Sequence, residues 1–394
     1  MLAQAQAIAP ELVRLRRDIH QHPELSFQEV RTAALVAETL QELGIEVQTG
    51  IGRTGVVGRL GNGVGPTLAI RADMDALPIQ EANDVPYRSQ NPGVMHACGH
   101  DAHTAILLGV ALLLKQSLAE EEWRGNVRLL FQPSEEASDA DGISGAPAMM
   151  ADGALDGVDA AISLHVLSTH PSSVCFFQDG YSHAAVDSFQ AWIRARGGHG
   201  AYPQHTNDPL FILAPVLTAL YAIPSRRIDP LRPCVVSLGE IRAGTASNII
   251  PGEVYLSGTL RSYDPGVREQ LRREVESAFK ISEAMGGRYE LKLNLGYPAM
   301  NNDRGVNDWM RAVAADLLGA EAVREDQFGM GAEDFAYVTQ TVPGAMFMLG
   351  AAIPDGRRRN HHTAGFDIDE SVLPLGAAVL AETARRYVTG ELRL

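Results

Sequence analysis

The stretch TLAIRADMD at residues 67–75 decides the fold, because it is an apolar run typical of a buried strand and it carries two aspartates at its end. Two similar runs follow it, NVRLLFQP at residues 126–133 and DAAISLHV at residues 159–166. Helical patterns separate these runs, at about residues 101–117 and 146–152. Strands that alternate with helices predict an α/β fold, in which helices flank a mostly parallel central sheet.

The hydrophobic periodicity changes near residue 186, where VDSFQAWIRARG alternates like a half-buried strand. From there to residue 296 the patterns follow the order βαββαβ, which indicates a self-contained α+β unit. A chain of 394 residues is also too long for one ordinary core. We therefore expect a main domain formed by residues 1–185 and 297–394, interrupted by a smaller inserted domain at residues 186–296.

The chain is acidic, with 48 acidic against 33 basic residues and a net charge of −15. Such a field repels polyanions, so nucleic acids and acidic membrane surfaces are not expected as partners. Three cysteines do not form a disulfide framework and indicate a cytoplasmic protein. The N-terminal sequence lacks the pattern of a secretory signal, and the apolar run at residues 105–114 is too short to span a bilayer. We expect a soluble protein without a membrane anchor.

The segment MHACGHDAHT at residues 95–104 places Cys98, His100, Asp101 and His103 at a predicted helix start. Thiolate and imidazole groups are ligands suited to zinc and its neighbours, and both a metal and a helix N-terminus lower the pKa of a thiol. Alternatively, Cys98 is a small buried apolar residue and the histidines cap the helix. Two ligands do not make a metal site, so this segment alone leaves both interpretations open.

Two pairs of carboxylates follow predicted strands: Asp73 with Asp75, and Glu135 with Glu136. Neighbouring carboxylates repel each other, so burying both requires a strong positive charge such as a metal ion. Loops at the carboxyl ends of strands in an α/β sheet line its binding crevice. The alternative for the glutamate pair is a solvated loop.

Histidines supply the remaining candidates, His165 near the end of the third strand and the pair His361 and His362 in NHHTAGF. A lone histidine at a strand end is more often a core residue with satisfied hydrogen bonds than a ligand. However, ligand-type side chains at four separate strand ends indicate convergence on one site. The sequence therefore predicts a single metal centre at one edge of the sheet.

Eight motifs, in order along nearly the whole chain, resemble those of the M20 metallopeptidase family: RRDIHQHPELSFQE, RADMDALPIQE, MHACGHDAHT, FQPSEE, RGGHGAYP, GTASNIIPGE, GAEDFAY and NHHTAGFDIDE. They are similar to its amidohydrolase branch of aminoacylases, hippurate hydrolases and auxin–amino-acid conjugate hydrolases. The resemblance implies a catalytic domain with a two-metal centre, interrupted by a smaller lid domain that usually dimerises. It therefore implies a homodimer or a higher homo-oligomer.

The resemblance also assigns the site by motif. It implies two divalent ions, which could be zinc, manganese, cobalt or nickel, with five ligands: Cys98, His100, Glu136, His165 and His362. Cys98 occupies the position of a bridging carboxylate in related branches and is expected to bridge the ions. The H-x-H pair formed by His20 and His22 is not used for ligands in the family, so we interpret it as structural.

Further roles follow from the same motifs. Glu135 matches the general base, and Asp75 matches the aspartate that orients a ligand histidine. His199 resembles the histidine that reaches the active site of a neighbouring subunit, whereas Asn248 and Arg261 resemble residues that hold the substrate. The loop after Glu136 is longer than is typical of the family, which makes the substrate harder to infer.

The resemblance implies a hydrolase that cleaves the amide bond of an N-acyl amino acid or a related small amide, with Glu135 as general base to a metal-activated water. A carboxypeptidase or dipeptidase with the same centre is the alternative among enzymes. A binding protein that retains the fold without turnover is an alternative from another class, against which the intact Glu135 and ligand set argue. A thiol redox module at Cys98 lacks the second cysteine of a C-x-x-C pair.

Overall fold

The computed structural model describes all residues of the chain, Met1–Leu394. The chain divides into two compact units. The first unit comprises Met1–Gly180, Asn301–Gln327 and Tyr337–Leu394. The second unit comprises Tyr181–Met300 and Phe328–Ala336.

Helices and strands alternate along the chain. The elements up to Phe177 are α1 (Leu2–Ala7), α2 (Ala9–Gln21), α3 (Val30–Glu42), β1 (Glu46–Ile51), β2 (Gly55–Leu60), β3 (Thr67–Asp73), α4 (His100–Glu120), β4 (Asn126–Gln132), α5 (Gly145–Ala151), β5 (Ala160–Pro171) and β6 (Cys175–Phe177). They are followed by β7 (Gly180–His183), β8 (Ala185–Arg194), β9 (Gly198–His199), α6 (Pro209–Arg226), β10 (Cys234–Ala243), β11 (Ile249–Ile250), β12 (Glu253–Ser262), α7 (Pro265–Ala284), β13 (Arg288–Leu295) and β14 (Met300–Asn302). The last elements are α8 (Arg304–Leu318), β15 (Val323–Glu325), α9 (Phe335–Thr339), β16 (Gly344–Ala352) and α10 (Leu373–Thr389).

An eight-stranded sheet forms the centre of the first unit, in the order β1-β2-β4-β3-β5-β16-β6-β15. Its four middle strands are parallel to one another, whereas β1 and β2 pair in antiparallel fashion at one edge. Every residue of β3 is buried, as expected for a parallel strand covered on both faces. The predicted α/β fold with a mostly parallel central sheet is confirmed.

The core of the first unit lies between this sheet and its helices, among which α4 packs against α2 and α10. Two helices, α4 and α6, are long and apolar enough to cross a membrane by length and composition alone, which is weak evidence for a membrane. In α4 the apolar residues contribute to the protein core, and 72% of its most apolar window is buried. The hydrophobicity of α4 is therefore explained by packing.

The second unit contains a four-stranded antiparallel sheet in the order β10-β12-β8-β13. Alternate residues of β8, including Phe189, Ala191 and Ile193, are buried in a core shared with α6 and α7. The two-residue strands β9 and β11 form a separate antiparallel ribbon. The observed order of the main elements is that of a βαββαβ unit.

The predicted insertion at residues 186–296 lies inside Tyr181–Met300 of the second unit. Phe328–Ala336 also belongs to this unit, although the sequence analysis placed it in the main domain. The reason is backbone hydrogen bonding, because the Gly331 carbonyl accepts from the Ala184 amide at 2.8 Å. Whether the second unit acts as a lid or in dimerisation stays a prediction.

Two predicted details of the first unit differ from the structure. His165 lies within β5 rather than near its end, because β5 continues to Pro171 in pairing with β16. The hydrophobic pattern of residues 27–43 predicts a helix over that range, but the helix begins only at Val30. Phe27 has a φ of 59°, which a right-handed helix does not contain.

Candidate metal centre

The carboxyl ends of β3 and β4 lie side by side, since Asp73 pairs with Gln132 at the last position of both strands. The two predicted carboxylate pairs emerge from these ends. Asp75 Oδ2 accepts a hydrogen bond from the Glu136 amide at 3.0 Å, which joins the two loops directly. Parallel strand ends therefore place the acidic groups at one edge of the sheet.

The N-terminus of α4 brings Cys98 and His100 to the same edge. Gly99, between them, has a φ of 96°, and a Cβ atom there would lie 2.5 Å from a methyl group of Val166. Only glycine permits this turn. His100 is buried, and its Nδ1 lies 3.1 Å from Asp75 Oδ1. The contact between Asp75 and His100 is the one expected for an aspartate that orients a ligand histidine.

His165 joins this group from β5. Its Nδ1 lies 2.8 Å from the carbonyl oxygen of Val166, so Nδ1 carries the proton and donates it. The unprotonated Nε2 lies 3.4 Å from the Sγ of Cys98. Burial, together with the neighbouring His103, holds the pKa of His165 well below its usual range, so the ring is neutral and able to bind a metal ion.

His103 lies close to His165, with ring centroids 4.6 Å apart, but both of its nitrogens are already used. Its Nδ1 lies 2.6 Å from Asp73 Oδ1, and its Nε2 accepts a hydrogen bond from the Val166 amide at 3.0 Å. A histidine needs a free lone pair to bind a metal. His103 therefore supports the site and is not a ligand.

The remaining predicted ligands, Glu136 and His362, are also in contact. His362 Nε2 lies 3.0 Å from Glu136 Oε1, and Glu136 Oε1 lies 4.0 Å from His100 Nε2. The structure adds His361, whose ring forms a second compact group with Cys98 and His165. The family resemblance implies His362 rather than His361 as a ligand, and the residue types alone do not distinguish these two adjacent histidines.

The electrostatics of the cluster favour positive charge. Burial opposes a charge on His100, but Asp73 and Asp75 raise the pKa of its ring to about 10. Burial and the nearby Glu136 raise the pKa of the Cys98 thiol well above its usual value. Both shifts indicate a region of negative potential, in which a proton or a metal ion is stabilised.

The donor set fits a divalent metal ion. His100 Nε2 is buried and has no hydrogen-bond partner, while its other nitrogen is held by Asp75. A buried polar atom without a partner costs about 1–3 kcal/mol, a cost that coordination removes. Thiolate, imidazole and carboxylate ligands together suit zinc, cobalt, nickel or manganese. The groups whose ligand atoms lie close enough together to hold a metal ion include Cys98 with Glu136 and His362, Cys98 with His165 and His361, and His100 with Glu135 and Glu136.

The other predicted residues belong to the second unit. His199 and Asn248 come together at the β9–β11 ribbon, where the Gly200 amide donates to the Asn248 carbonyl at 2.8 Å. His199 Nδ1 accepts a hydrogen bond from the Ala201 amide, so the proton is on Nε2 of this exposed ring. Arg261 lies on β12, its guanidinium forms no ion pair, and partial burial lowers the pKa of that group.

One contributor was not predicted from the sequence. The carboxylate of Glu29 is buried and accepts a hydrogen bond from the amide of Ser134, the residue before Glu135. Burial raises the pKa of Glu29 to about 7. Its position at the end of the PELSFQE segment gave no signal of this contact, which joins residues far apart in the chain.

A cluster of imidazole, thiolate and carboxylate groups at the carboxyl edge of a parallel sheet, with a second glutamate beside it, defines the chain as a metal-dependent hydrolase. Known proteins agree with this class. Residues 69–386 match the family described as Peptidase family M20/M25/M40. The chain belongs to this family, as its motifs predicted, and it is a metal-dependent amidohydrolase.

Three similar proteins illustrate the range of the family. Thermostable carboxypeptidase 2 of Saccharolobus solfataricus is 41% identical over 384 residues, which cover 95% of each protein. N-acetyl-L-cysteine deacetylase of Bacillus subtilis is 37% identical over 383 residues, which cover 96% of this chain and 88% of the deacetylase. A crystal structure from Bacillus subtilis, described as a dinuclear metal binding peptidase from the M20 family, has a TM-score of 0.81 at 32% identity, covering 97% of this chain and 99% of the other.

Proposed function

We propose that this amidohydrolase removes the acyl group from N-acyl amino acids or related small amides. The observation that carries the proposal is the pair Glu135 and Glu136 at the end of β4, which lie with His100 in one group of possible ligand atoms. One glutamate of such a pair serves as a ligand, and the other is left to move protons. The similarity to an N-acetyl-L-cysteine deacetylase supports this substrate class.

The ions held by the ligand set supply a Lewis acid that lowers the pKa of water from 15.7 towards about 7. Glu135, which is 7% exposed, accepts a proton from the attacking water and returns it to the leaving nitrogen. Asp75 keeps the Nε2 lone pair of His100 directed at the cluster by holding Nδ1. Cys98, His100, Glu136, His165 and His362 would hold two divalent ions, which we propose to be zinc, manganese, cobalt or nickel.

The second unit supplies the groups that recognise the substrate in this proposal. The Nε2–H of His199 is free to donate to the amide carbonyl, an interaction worth roughly 3–4 kcal/mol in the transition state of such enzymes. The unpaired guanidinium of Arg261 suits the carboxylate of an amino acid. Asn248 directly precedes β11, whose Ile249 pairs with His199, and adds a side-chain amide for hydrogen bonding.

We also propose that the protein is a cytoplasmic homodimer that pairs through the second unit. The outer face of α6 supports this idea, because Leu210, Phe211 and Tyr221 are 44%, 69% and 57% exposed. A stripe of large apolar side chains on one helix face is typical of an interface. In this arrangement His199 acts in the active site of the other subunit.

A carboxypeptidase is the second candidate, because the thermostable carboxypeptidase from Saccharolobus solfataricus is 41% identical to the chain. It requires the same metal centre and the same carboxylate recognition by Arg261. The two candidates differ in the group on the carbonyl side of the scissile amide bond. This group is a simple acyl group in an N-acyl amino acid and an amino-acid residue in a peptide.

The test compares hydrolysis of N-acetyl, N-benzoyl and indole-acetyl amino acids with that of dipeptides, in the presence of Zn²⁺, Mn²⁺, Co²⁺ or Ni²⁺. We expect a higher kcat/KM for an N-acyl amino acid than for any dipeptide.

Glu135→Gln should lower kcat by at least about 10²-fold with the metal retained, since an amide does not carry the proton. Glu120→Gln, at the exposed end of α4, is the matched control and should be fully active. Preference for dipeptides would favour the carboxypeptidase, and a fully active Glu135→Gln would exclude Glu135 as the base.

A further inference from the structure

Left-handed backbone conformations are concentrated around one buried glutamate. Five residues other than glycine have a positive φ, and three of them are Phe27 at 59°, Arg53 at 80° and Ser134 at 48°. Such conformations are unfavourable for residues with side chains and persist only where surrounding contacts hold them. Phe27 and Ser134 donate hydrogen bonds to Glu29 from their own amides, and Arg53 precedes Thr54, whose hydroxyl also donates to Glu29.

The carboxylate of Glu29 joins three separate segments. Its Oε1 accepts hydrogen bonds from the backbone amides of Phe27 and Ser134, both at 2.9 Å. Its Oε2 accepts a hydrogen bond from the hydroxyl of Thr54, the residue after Arg53. Glu29 is completely buried and forms no ion pair. Only these directed hydrogen bonds compensate for the burial of its carboxyl group.

Ser134 is fixed at every polar atom. Its amide donates to Glu29, its carbonyl accepts from the Gly145 amide at 2.8 Å, and its hydroxyl donates to the Ala137 carbonyl at 2.8 Å. Glu135 is the next residue in the chain. The direction in which the Glu135 side chain leaves the backbone therefore depends on the Ser134 conformation, which Glu29 holds.

Capping of α3 does not explain Glu29. Glu29 is the N-cap residue of this helix, but its side chain makes no hydrogen bond to the first turn. Glu24 does so instead, because its carboxylate accepts from the amides of Arg31 and Thr32 at 2.9 and 2.8 Å. Glu24 therefore accepts the hydrogen bonds from the first turn of α3, whereas the Glu29 carboxylate accepts one from the Ser134 amide.

We propose that Glu29 is a positioning residue for the reaction, which acts through the backbone of Ser134 to set the place of Glu135. The inference rests on the proposed function, since it takes Glu135 as the general base. Geometry rather than charge is the essential property: one oxygen of Glu29 must reach two backbone amides at once.

The experiment separates geometry from charge in the metal-loaded enzyme. In Glu29→Gln the amide oxygen accepts both backbone hydrogen bonds and the NH₂ group donates to the Thr54 hydroxyl, so kcat should stay within about threefold of the wild type. Glu29→Asp keeps the charge but withdraws the oxygens by one methylene, a misplacement that can cost about 10²-fold. We expect kcat at least about tenfold lower, with KM changed less than about twofold and the metal content unchanged. Glu24→Asp makes the same shortening at the helix cap and should retain its kcat.

Two results would overturn the proposal: a kcat for Glu29→Asp within about threefold of wild type, or an equal loss in Glu29→Gln. If Glu29→Asp does not fold at the assay temperature, a second measurement takes the place of its kcat: the hydrogen-exchange rate of the Ser134 amide in Glu29→Gln. An exchange rate equal to that of an unprotected amide would contradict the proposal. Glu135→Gln is measured in parallel. An active Glu135→Gln would exclude Glu135 as the general base of the proposed function. An inactive Glu135→Gln together with an unaffected Glu29→Asp would reject only the positioning role of Glu29.

Discussion

His165 and His103 are neighbours that differ in the use of one nitrogen. The carbonyl of Val166 holds Nδ1 of His165 and leaves Nε2 next to Cys98, whereas the amide of Val166 and the carboxylate of Asp73 occupy both nitrogens of His103. Val166 thus contacts both rings. Its carbonyl leaves Nε2 of His165 available to a metal ion, whereas its amide uses Nε2 of His103. The roles of the two histidines follow from these hydrogen bonds.

We expect His165→Ala or Cys98→Ser to lower metal content and activity together while the fold survives. His103→Ala removes a supporting contact, so it should bind the full complement of metal at saturation, with affinity about 10- to 100-fold weaker. Elemental analysis gives the metal content, and circular dichroism checks the fold. Full metal occupancy in both His165→Ala and Cys98→Ser would show that the ligands have been assigned incorrectly.

Residue types and motifs predicted which side chains approach one another, because ligand chemistry is visible in the sequence. The sequence could not predict that His103 is excluded or that Glu29 supports Ser134. Both facts depend on hydrogen bonds between residues distant in the chain, such as Val166 with His103 and Ser134 with Glu29. The sequence around His103 does not indicate Val166 as its hydrogen-bond partner, and the sequence around Glu29 does not indicate Ser134.

At the level of elements, one buried arginine connects two helices with the loop after β16. Arg16 of α2 is fully buried and contacts Asp101 of α4 at 2.7 Å, and Asp367 and Glu370 at 3.0 Å each. Asp101 also lies 2.7 Å from Nδ1 of His20, which explains the structural role expected for that histidine. The network fixes the start of α4, where His100 is located.

Arg16→Ala should lower the free energy of unfolding by about 3–5 kcal/mol, because it leaves buried carboxylates without their cation. Arg14→Ala is the control two residues earlier in the same helix. Arg14 pairs with Glu11 at the surface, with 59% and 49% of the side chains exposed, so its loss should cost about 0–1 kcal/mol. Urea denaturation of both variants measures the difference, and equal values would mean that the buried network contributes no net stability.

Periodicity predicted α4 well, since many turns of this helix contribute apolar residues to the core. It failed at the start of α3 and for the strands β6 and β15. These strands have three residues each, too few for an alternating pattern to be distinguished from a loop. Their pairing is decided by the neighbouring strands of the sheet.

At the scale of the whole molecule, the two units have separate apolar cores. The proposed metal ligands all belong to the first unit, whereas His199, Asn248 and Arg261, the proposed substrate-recognition residues, belong to the second. The change of periodicity at residue 186 predicted the second core from sequence. The return of Phe328–Ala336 to the second unit was not predicted, since the Gly331 carbonyl accepts a hydrogen bond from the Ala184 amide, a residue far away in the sequence.

Mixing two inactive variants tests whether His199 acts across a dimer. His199→Ala chains and Glu135→Gln chains are each expected to be inactive. In a mixed dimer one active site would receive both an intact Glu135 and an intact His199, so activity should return to roughly a quarter of wild type after random exchange. Subunit exchange is verified independently, for example with two affinity tags. If activity does not return after exchange, His199 works within its own chain or has no catalytic role.

Separate cores also bear on how proteins of this kind diversify. Substitutions at sites in different cores that share no partners have close to additive effects on stability. Substitutions in the second unit, to which His199, Asn248 and Arg261 belong, can therefore accumulate without disturbing the packing around His100 in the first unit. Relatives at least 37% identical to this chain are named as a carboxypeptidase and as a deacetylase, so names that differ in substrate occur at this level of similarity.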